Sequence, residues 1–112
     1  MDERLYKVVI TPDAEQDLWN IQDYITYNLQ MPEIADEYVS DIEKAILELD
    51  NMPEKYSLVD FEPWRSLGMR HFNVNNYVVY YFIKPALSSV FIANVIYNKR
   101  DQKKALSNRN RK

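Results

Sequence analysis

The chain has 112 residues, 46% hydrophobic and 28% charged, which predicts one globular domain with a single core. It contains no cysteine and one histidine, so a disulfide framework is excluded and the residue types that bind transition metals are scarce. The longest apolar run has seven residues and the N-terminus is acidic, so we expect neither a membrane span nor a signal peptide, and a cytoplasmic location.

Charge is distributed unevenly along the chain. Residues 1–59 hold 4 Lys/Arg and 14 Asp/Glu, a net charge of −10, whereas residues 60–112 hold 10 and 3, a net charge of +7. One interpretation is that the two halves attract each other inside the domain. The other is that the basic half faces an anionic partner.

The first half of the chain predicts a strand followed by a helical hairpin. Residues 5–10 are rich in β-branched and apolar side chains and form the predicted strand. Thr11 is a suitable N-cap, with Pro12 at the first helical position, and the first helix should cover residues 12–29. Pro32 begins a second helix that ends at Met52-Pro53. The apolar residues recur at helical spacing in both: Ala14, Leu18, Ile21 and Ile25, then Ala35, Tyr38, Ile42, Ala45 and Leu49.

The second half predicts a three-stranded meander. An irregular connection comes first, anchored by Phe61 and Trp64, and Gly68 permits a turn before the strand that begins near Met69. The Asn75-Asn76 pair predicts a two-residue hairpin, because Asn tolerates positive φ. The next strand, residues 77–83, is apolar throughout, as expected when both faces are covered. Residues 84–88 form a turn and residues 89–97 the last strand.

The element order is therefore β-α-α-β-β-β in a single domain, residues 1–112. We predict an α+β fold in which the N-terminal helical hairpin packs on one face of a mostly antiparallel four-stranded sheet. Residues 102–106 could add a short C-terminal helix. Residues 107–112 read as a frayed basic tail.

Candidate functional residues are cationic and aromatic, since the sequence has no phosphate loop, nucleophile elbow or metal-ligand cluster. Such side chains can hold phosphates, stack on bases, stabilise a transferring phosphate and move protons. The competing interpretation is structural: the tyrosines would pack in the core, with adjacent ones on opposite faces, and the arginines would pair with the acidic helices. The set comprises Arg65, Arg70, His71, Tyr80, Tyr81, Tyr97, Lys99 and Arg100.

Nearly the whole chain resembles the RelE/ParE superfamily of toxins from bacterial type II toxin–antitoxin modules, often called plasmid stabilisation proteins. The first helix opens with residues 11–18 (TPDAEQDL), and residues 64–70 read WRSLGMR. Residues 76–81 (NYVVYY) and 95–101 (VIYNKRD) lie on the later strands. No single piece is specific, but their order is that of the superfamily.

The resemblance implies a growth-inhibiting toxin neutralised by a cognate antitoxin, with which it can form a hetero-oligomer, and without a cofactor, metal or membrane partner. ParE-like members inhibit DNA gyrase, whereas RelE-like members are ribosome-dependent mRNA endoribonucleases. His71 and Arg100 match the catalytic positions of RelE-like members. Asn73, Val78 and Leu106 stand where other active-site residues are expected, which favours a gyrase-type protein target over the nuclease.

The remaining cationic and aromatic residues are expected to bind the target or the antitoxin: Arg65, Arg70, Tyr80, Tyr81, Tyr97 and Lys99. A third option is a degenerate, non-toxic protein that only binds an antitoxin.

Overall fold

The computed structural model describes residues 5–98, which form two helices and a four-stranded sheet in the predicted order. The strands are β1 (Lys7–Ile10), β2 (Arg70–Val74), β3 (Tyr77–Lys84) and β4 (Ser89–Tyr97), and the helices are α1 (Pro12–Asp23) and α2 (Pro32–Leu47). The predicted α+β class is confirmed. The proposed C-terminal helix and the basic tail lie outside the described residues, as do Lys99 and Arg100.

The first helix begins as its sequence predicts. The Thr11 hydroxyl oxygen accepts a hydrogen bond from the Ala14 amide at 3.2 Å, and Pro12 occupies the first turn. After Asp23 the chain continues as a π-helical turn, Tyr24–Asn28, so the helical run ends one residue before the predicted end. This wider turn places Tyr24 and Tyr27 on the surface, where they are 51% and 72% exposed.

The second helix starts at Pro32 without a side-chain cap from Met31 and continues into a short 3₁₀ turn, Glu48–Asp50. Its buried stripe follows the predicted apolar row, with Ala35, Ile42 and Leu49 completely inaccessible to solvent. Between the helices, the Gln22 amide donates a 2.6 Å hydrogen bond to the Asp36 carboxylate. None of the helices in residues 5–98 has the length and apolar character needed to cross a bilayer.

The sheet has the order β1-β4-β3-β2, with β1 parallel to β4 and the other pairs antiparallel. The predicted hairpin between β2 and β3 is confirmed, because Asn75 and Asn76 have φ of 49° and 69°, the values of a type I′ turn. A β-bulge interrupts the β3–β4 register, since Tyr80 pairs with Asn94 whereas Tyr81 pairs with Ile92, leaving Ala93 as the extra residue.

Strand β3 is buried on both faces. On one face, Val79 and Tyr81 pack with the helices and with Val90 and Ile92 of β4. On the other, Val78 and Tyr80 form a second core with Val59, Trp64 and Met69 of the connecting segment, residues 51–69. The two cores explain why this strand is apolar at successive positions rather than at alternate ones. They also confirm the predicted anchoring of the connection by Trp64.

Gly68 closes the turn before β2 with a φ of 90°, and its amide donates to the Arg65 carbonyl at 3.0 Å. A Cβ atom at this position would meet nothing within 4 Å, so the strain of a substitution comes from the backbone alone.

We predict that Gly68→Ala lowers the free energy of unfolding by about 1–2 kcal/mol, because an L-residue is unfavourable at this φ. Urea denaturation measures the change. Leu67→Ala is the matched control, since Leu67 is 59% exposed, and its effect should stay within about 0.5 kcal/mol. Equal stability of Gly68→Ala and the control would show that the turn does not require glycine.

Candidate functional site

The predicted site residues of β2 and β3 divide between the two faces of the sheet. Arg70 is opposite Tyr81 and His71 is opposite Tyr80, so neighbouring residues point in opposite directions. Tyr81 belongs to the helix-side core, whereas Tyr80 belongs to the core under the connecting segment. These side chains therefore do not assemble into one site. The alternation of side chains along a strand had predicted that adjacent tyrosines lie on opposite faces.

Tyr80 and Tyr81, which the sequence suggested as binding residues, are only 2% and 0% exposed in the free chain. The Tyr81 hydroxyl donates a buried 2.7 Å hydrogen bond to the Pro53 carbonyl, which attaches the connecting segment to the sheet. Burial raises the pKa of Tyr81, and burial with the nearby Asp60 carboxylate raises that of Tyr80 to about 12. Both phenols are structural.

Two arginines of the predicted functional set, Arg65 and Arg70, anchor the connecting segment. The Arg70 guanidinium donates to the Tyr56 carbonyl at 2.6 Å and to the Glu54 carbonyl at 3.3 Å. Arg65 donates to the Val59 carbonyl at 3.0 Å. Because main-chain carbonyls occupy these donors, both side chains have a role in holding the segment in place.

His71 is half-buried, and its ring stacks on Tyr80 with centroids 6.3 Å apart and planes 23° from parallel. Its amide donates to the Ser57 carbonyl at 3.1 Å. Tyr97 is 48% exposed at the end of β4, with its ring 5.4 Å from that of Tyr77. Of the predicted set, Tyr97 therefore presents the most open aromatic surface.

The described residues form a surface groove of about 700 Å³ that was not predicted from the sequence. It lies between the helices, the turn that joins them and the ends of β3 and β4. Its lining is mostly apolar, and Tyr24, Leu29, Met31, Ile34 and Tyr97 leave 38–51% of their surfaces exposed along it. A cluster of exposed apolar side chains on this scale marks a protein-binding surface. Apolar residues outside the predicted helical stripes were the signal that could have indicated it.

One buried carboxylate lies in the wall of this apolar groove. Asp17 of α1 is 5% exposed, and its Oδ2 atom accepts a 2.8 Å hydrogen bond from the Val95 amide of β4. This bond satisfies a main-chain donor at the sheet edge. Among the described residues that line the groove, Asp17 is the only charged one, and none is a cation that could hold a phosphate.

A second cavity, of about 500 Å³, opens between α1 and α2. It is lined by the carboxylates of Glu15, Asp23, Asp36 and Glu43 together with Trp19. An acidic lining repels phosphates. Within residues 5–98, no group of three or more His, Asp or Glu side chains could hold a metal ion.

The helical hairpin on a four-stranded mixed sheet is shared with toxins of type II toxin–antitoxin systems. The chromosomal ParDE system from P. aeruginosa superimposes with a TM-score of 0.69 at 21% identity, covering 84% of this chain and 97% of the other. The RelBE2 toxin–antitoxin complex from Mycobacterium tuberculosis superimposes with a TM-score of 0.59 at 21% identity, covering 86% of this chain and 97% of the other. The isolated RelE toxin of E. coli superimposes with a TM-score of 0.56 at 11% identity, covering 93% of this chain and 96% of the other. These likenesses define the fold.

The sequence defines the family. Residues 8–102 match the family model described as the ParE toxin of the type II toxin–antitoxin system parDE. The chain therefore belongs to the ParE toxin family, within the predicted RelE/ParE superfamily, and is the toxin component of a type II system. No curated protein matches the chain.

We predict that Tyr81→Phe lowers the free energy of unfolding by about 1–3 kcal/mol, because it leaves the buried Pro53 carbonyl without its donor. Urea denaturation provides the measurement. Tyr27→Phe is the matched control, since Tyr27 is 72% exposed, and should be neutral. Equal losses in the two variants would contradict a role for the buried bond.

We also expect stability to decline in alkaline solution. Burial keeps Tyr80 neutral in the folded state up to a pKa of about 12, whereas unfolded tyrosine ionises near pH 10. Between these values the folded state binds more protons, so the free energy of unfolding falls as pH rises. The contribution is complete below about pH 10 and is lost as pH passes the folded pKa. Denaturation across this range should show a shallower decline for Tyr80→Phe, and an equal slope would contradict the assignment.

Proposed function

We propose that this toxin inhibits growth by binding a protein target such as DNA gyrase, and that its antitoxin neutralises it by occupying the apolar groove. The observation that carries the proposal is the groove itself, a partly exposed apolar surface of about 700 Å³ in which Asp17 is the one charged residue among the lining residues within 5–98. Such a surface suits a protein partner better than a nucleic acid.

The state of the predicted nuclease residues supports a protein target. Two of the predicted cations, Arg65 and Arg70, donate to carbonyls of the connecting segment, and Tyr80 and Tyr81 are buried. Phosphoryl-transfer chemistry needs cations or donors aimed at the phosphate and a group that moves protons. Of the two predicted catalytic residues, only His71 lies within residues 5–98, and its ring is stacked on the buried ring of Tyr80.

The second candidate function is a RelE-like, ribosome-dependent mRNA endoribonuclease. The similarity to the E. coli RelE toxin, with a TM-score of 0.56, favours it. On this alternative His71 and Arg100 are catalytic, and Tyr97 and Lys99 contact the RNA. A degenerate protein that binds an antitoxin without being toxic is the third possibility, and growth assays separate it from both.

Controlled expression of the chain without an antitoxin tests the target class. We expect growth arrest, inhibition of DNA supercoiling by purified gyrase, and mRNA without new cleavage sites in primer extension. His71→Ala and Arg100→Ala should leave the arrest unchanged. A-site cleavage that either variant abolishes would establish the nuclease instead, and normal growth would indicate the degenerate protein.

The groove is tested by antitoxin affinity. Ile34→Glu introduces a charge at a groove position that is 38% exposed, and it should weaken antitoxin binding by about 1.5–3 kcal/mol, roughly tenfold or more in Kd. Leu87→Glu is the matched control, since Leu87 is 64% exposed and lies in the β3–β4 turn. Calorimetric titration with the cognate antitoxin measures both. Equal effects would place the antitoxin elsewhere.

A further inference from the structure

The lining of the apolar groove includes a methionine that is open to solvent. Met31 lies between the π-helical turn and α2 and is 50% exposed. Its amide donates to the Ile25 carbonyl at 3.0 Å, and its carbonyl accepts from the Ala35 amide at 2.9 Å. The main chain is therefore held on both sides of this residue, while its thioether can be reached from solution.

Two other methionines of the described chain serve as internal comparisons. Met52 is 65% exposed and is not among the residues that line the groove. Met69 is 1% exposed and belongs to the core under the connecting segment. An oxidant in solution reaches an exposed sulfur more readily than a buried one, so Met31 and Met52 should react in the free toxin and Met69 should be protected.

The reaction is the two-electron oxidation of a thioether by hydrogen peroxide. A lone pair of the sulfur attacks one peroxide oxygen, an S–O bond forms as the O–O bond breaks, and water is the second product. The methionine becomes a sulfoxide and the peroxide is reduced, with no further co-reactant. Methionine sulfoxide reductases restore the thioether, so the modification is reversible.

A sulfoxide changes the chemistry of the groove at this point. Its oxygen is polar, whereas the sequence neighbours Leu29 and Ile34 contribute apolar side chains to the same lining. Solvent hydrates the new oxygen in the free toxin. A partner that covers it removes this hydration, which is unfavourable unless a new hydrogen bond replaces it.

We propose that Met31 is a redox-sensitive modification site, at which oxidation to the sulfoxide weakens antitoxin binding. This inference rests on the proposed antitoxin site. Because a partner in the groove covers the sulfur, peroxide acts on the free toxin rather than on the complex. The oxidised toxin then rebinds its antitoxin poorly until the thioether is restored, so the modification prolongs the free state.

The test begins with the free toxin. It is treated with hydrogen peroxide, catalase removes the excess, and peptide mass spectrometry locates the sulfoxides. We expect modification at Met31 and Met52 but not at Met69. Calorimetric titration with the cognate antitoxin should then give a Kd raised about tenfold, the effect of one polar group without a partner. Sulfoxide at Met52 without sulfoxide at Met31 overturns the inference, as does a Kd changed less than about twofold with Met31 fully oxidised.

Matched variants assign the effect to one sulfur. Met31→Leu keeps an apolar side chain of similar size that peroxide does not oxidise, so peroxide should leave its Kd unchanged. Met52→Leu should lose affinity on oxidation as the wild type does. Without oxidant, Met31→Gln introduces a polar group and should raise the Kd about tenfold, whereas Met52→Gln should not. Equal peroxide sensitivity of Met31→Leu and the wild type would contradict the assignment.

The complex distinguishes a failure of this inference from a failure of the proposed function. With antitoxin bound, Met31 should be protected from peroxide while Met52 still reacts. If Met31 reacts as fast in the complex as in the free toxin, the groove is not the antitoxin site, and both proposals fail. If Met31 is protected but its sulfoxide binds the antitoxin as tightly as the thioether does, the proposed site stands and the modification site is overturned.

Discussion

The burial of β3 on both faces is the constraint on which the other features depend. One strand must supply two cores, so its aromatic and β-branched side chains alternate between the helical hairpin and the connecting segment. The helical hairpin therefore covers one face of β3, and the connecting segment covers the other. It also explains why both Tyr80 and Tyr81 are buried, and why the Tyr81 hydroxyl donates to the Pro53 carbonyl.

The second core has a further consequence for the cations of the chain. A connecting segment without regular strands has main-chain carbonyls that need donors, and the guanidinium groups of Arg65 and Arg70 provide them. Cations near a central strand resemble a phosphate-binding set in sequence, whereas in the fold they stabilise a loop. Within residues 5–98, an exposed apolar surface lies at the other end of the sheet, beside Tyr97.

Sequence reasoning predicted the elements because their signals are local. The cap at Thr11, the Asn75-Asn76 turn and the uninterrupted apolar run of β3 each specify structure over a few residues. The groove could not be predicted in this way. It is lined by the π-helical turn, by the loop that joins the helices and by the last residues of β4, and these segments form a surface only through contacts between distant residues. The hydrogen-bond partners of Arg70 could not be predicted for the same reason, because they lie 16 and 14 residues away in the sequence.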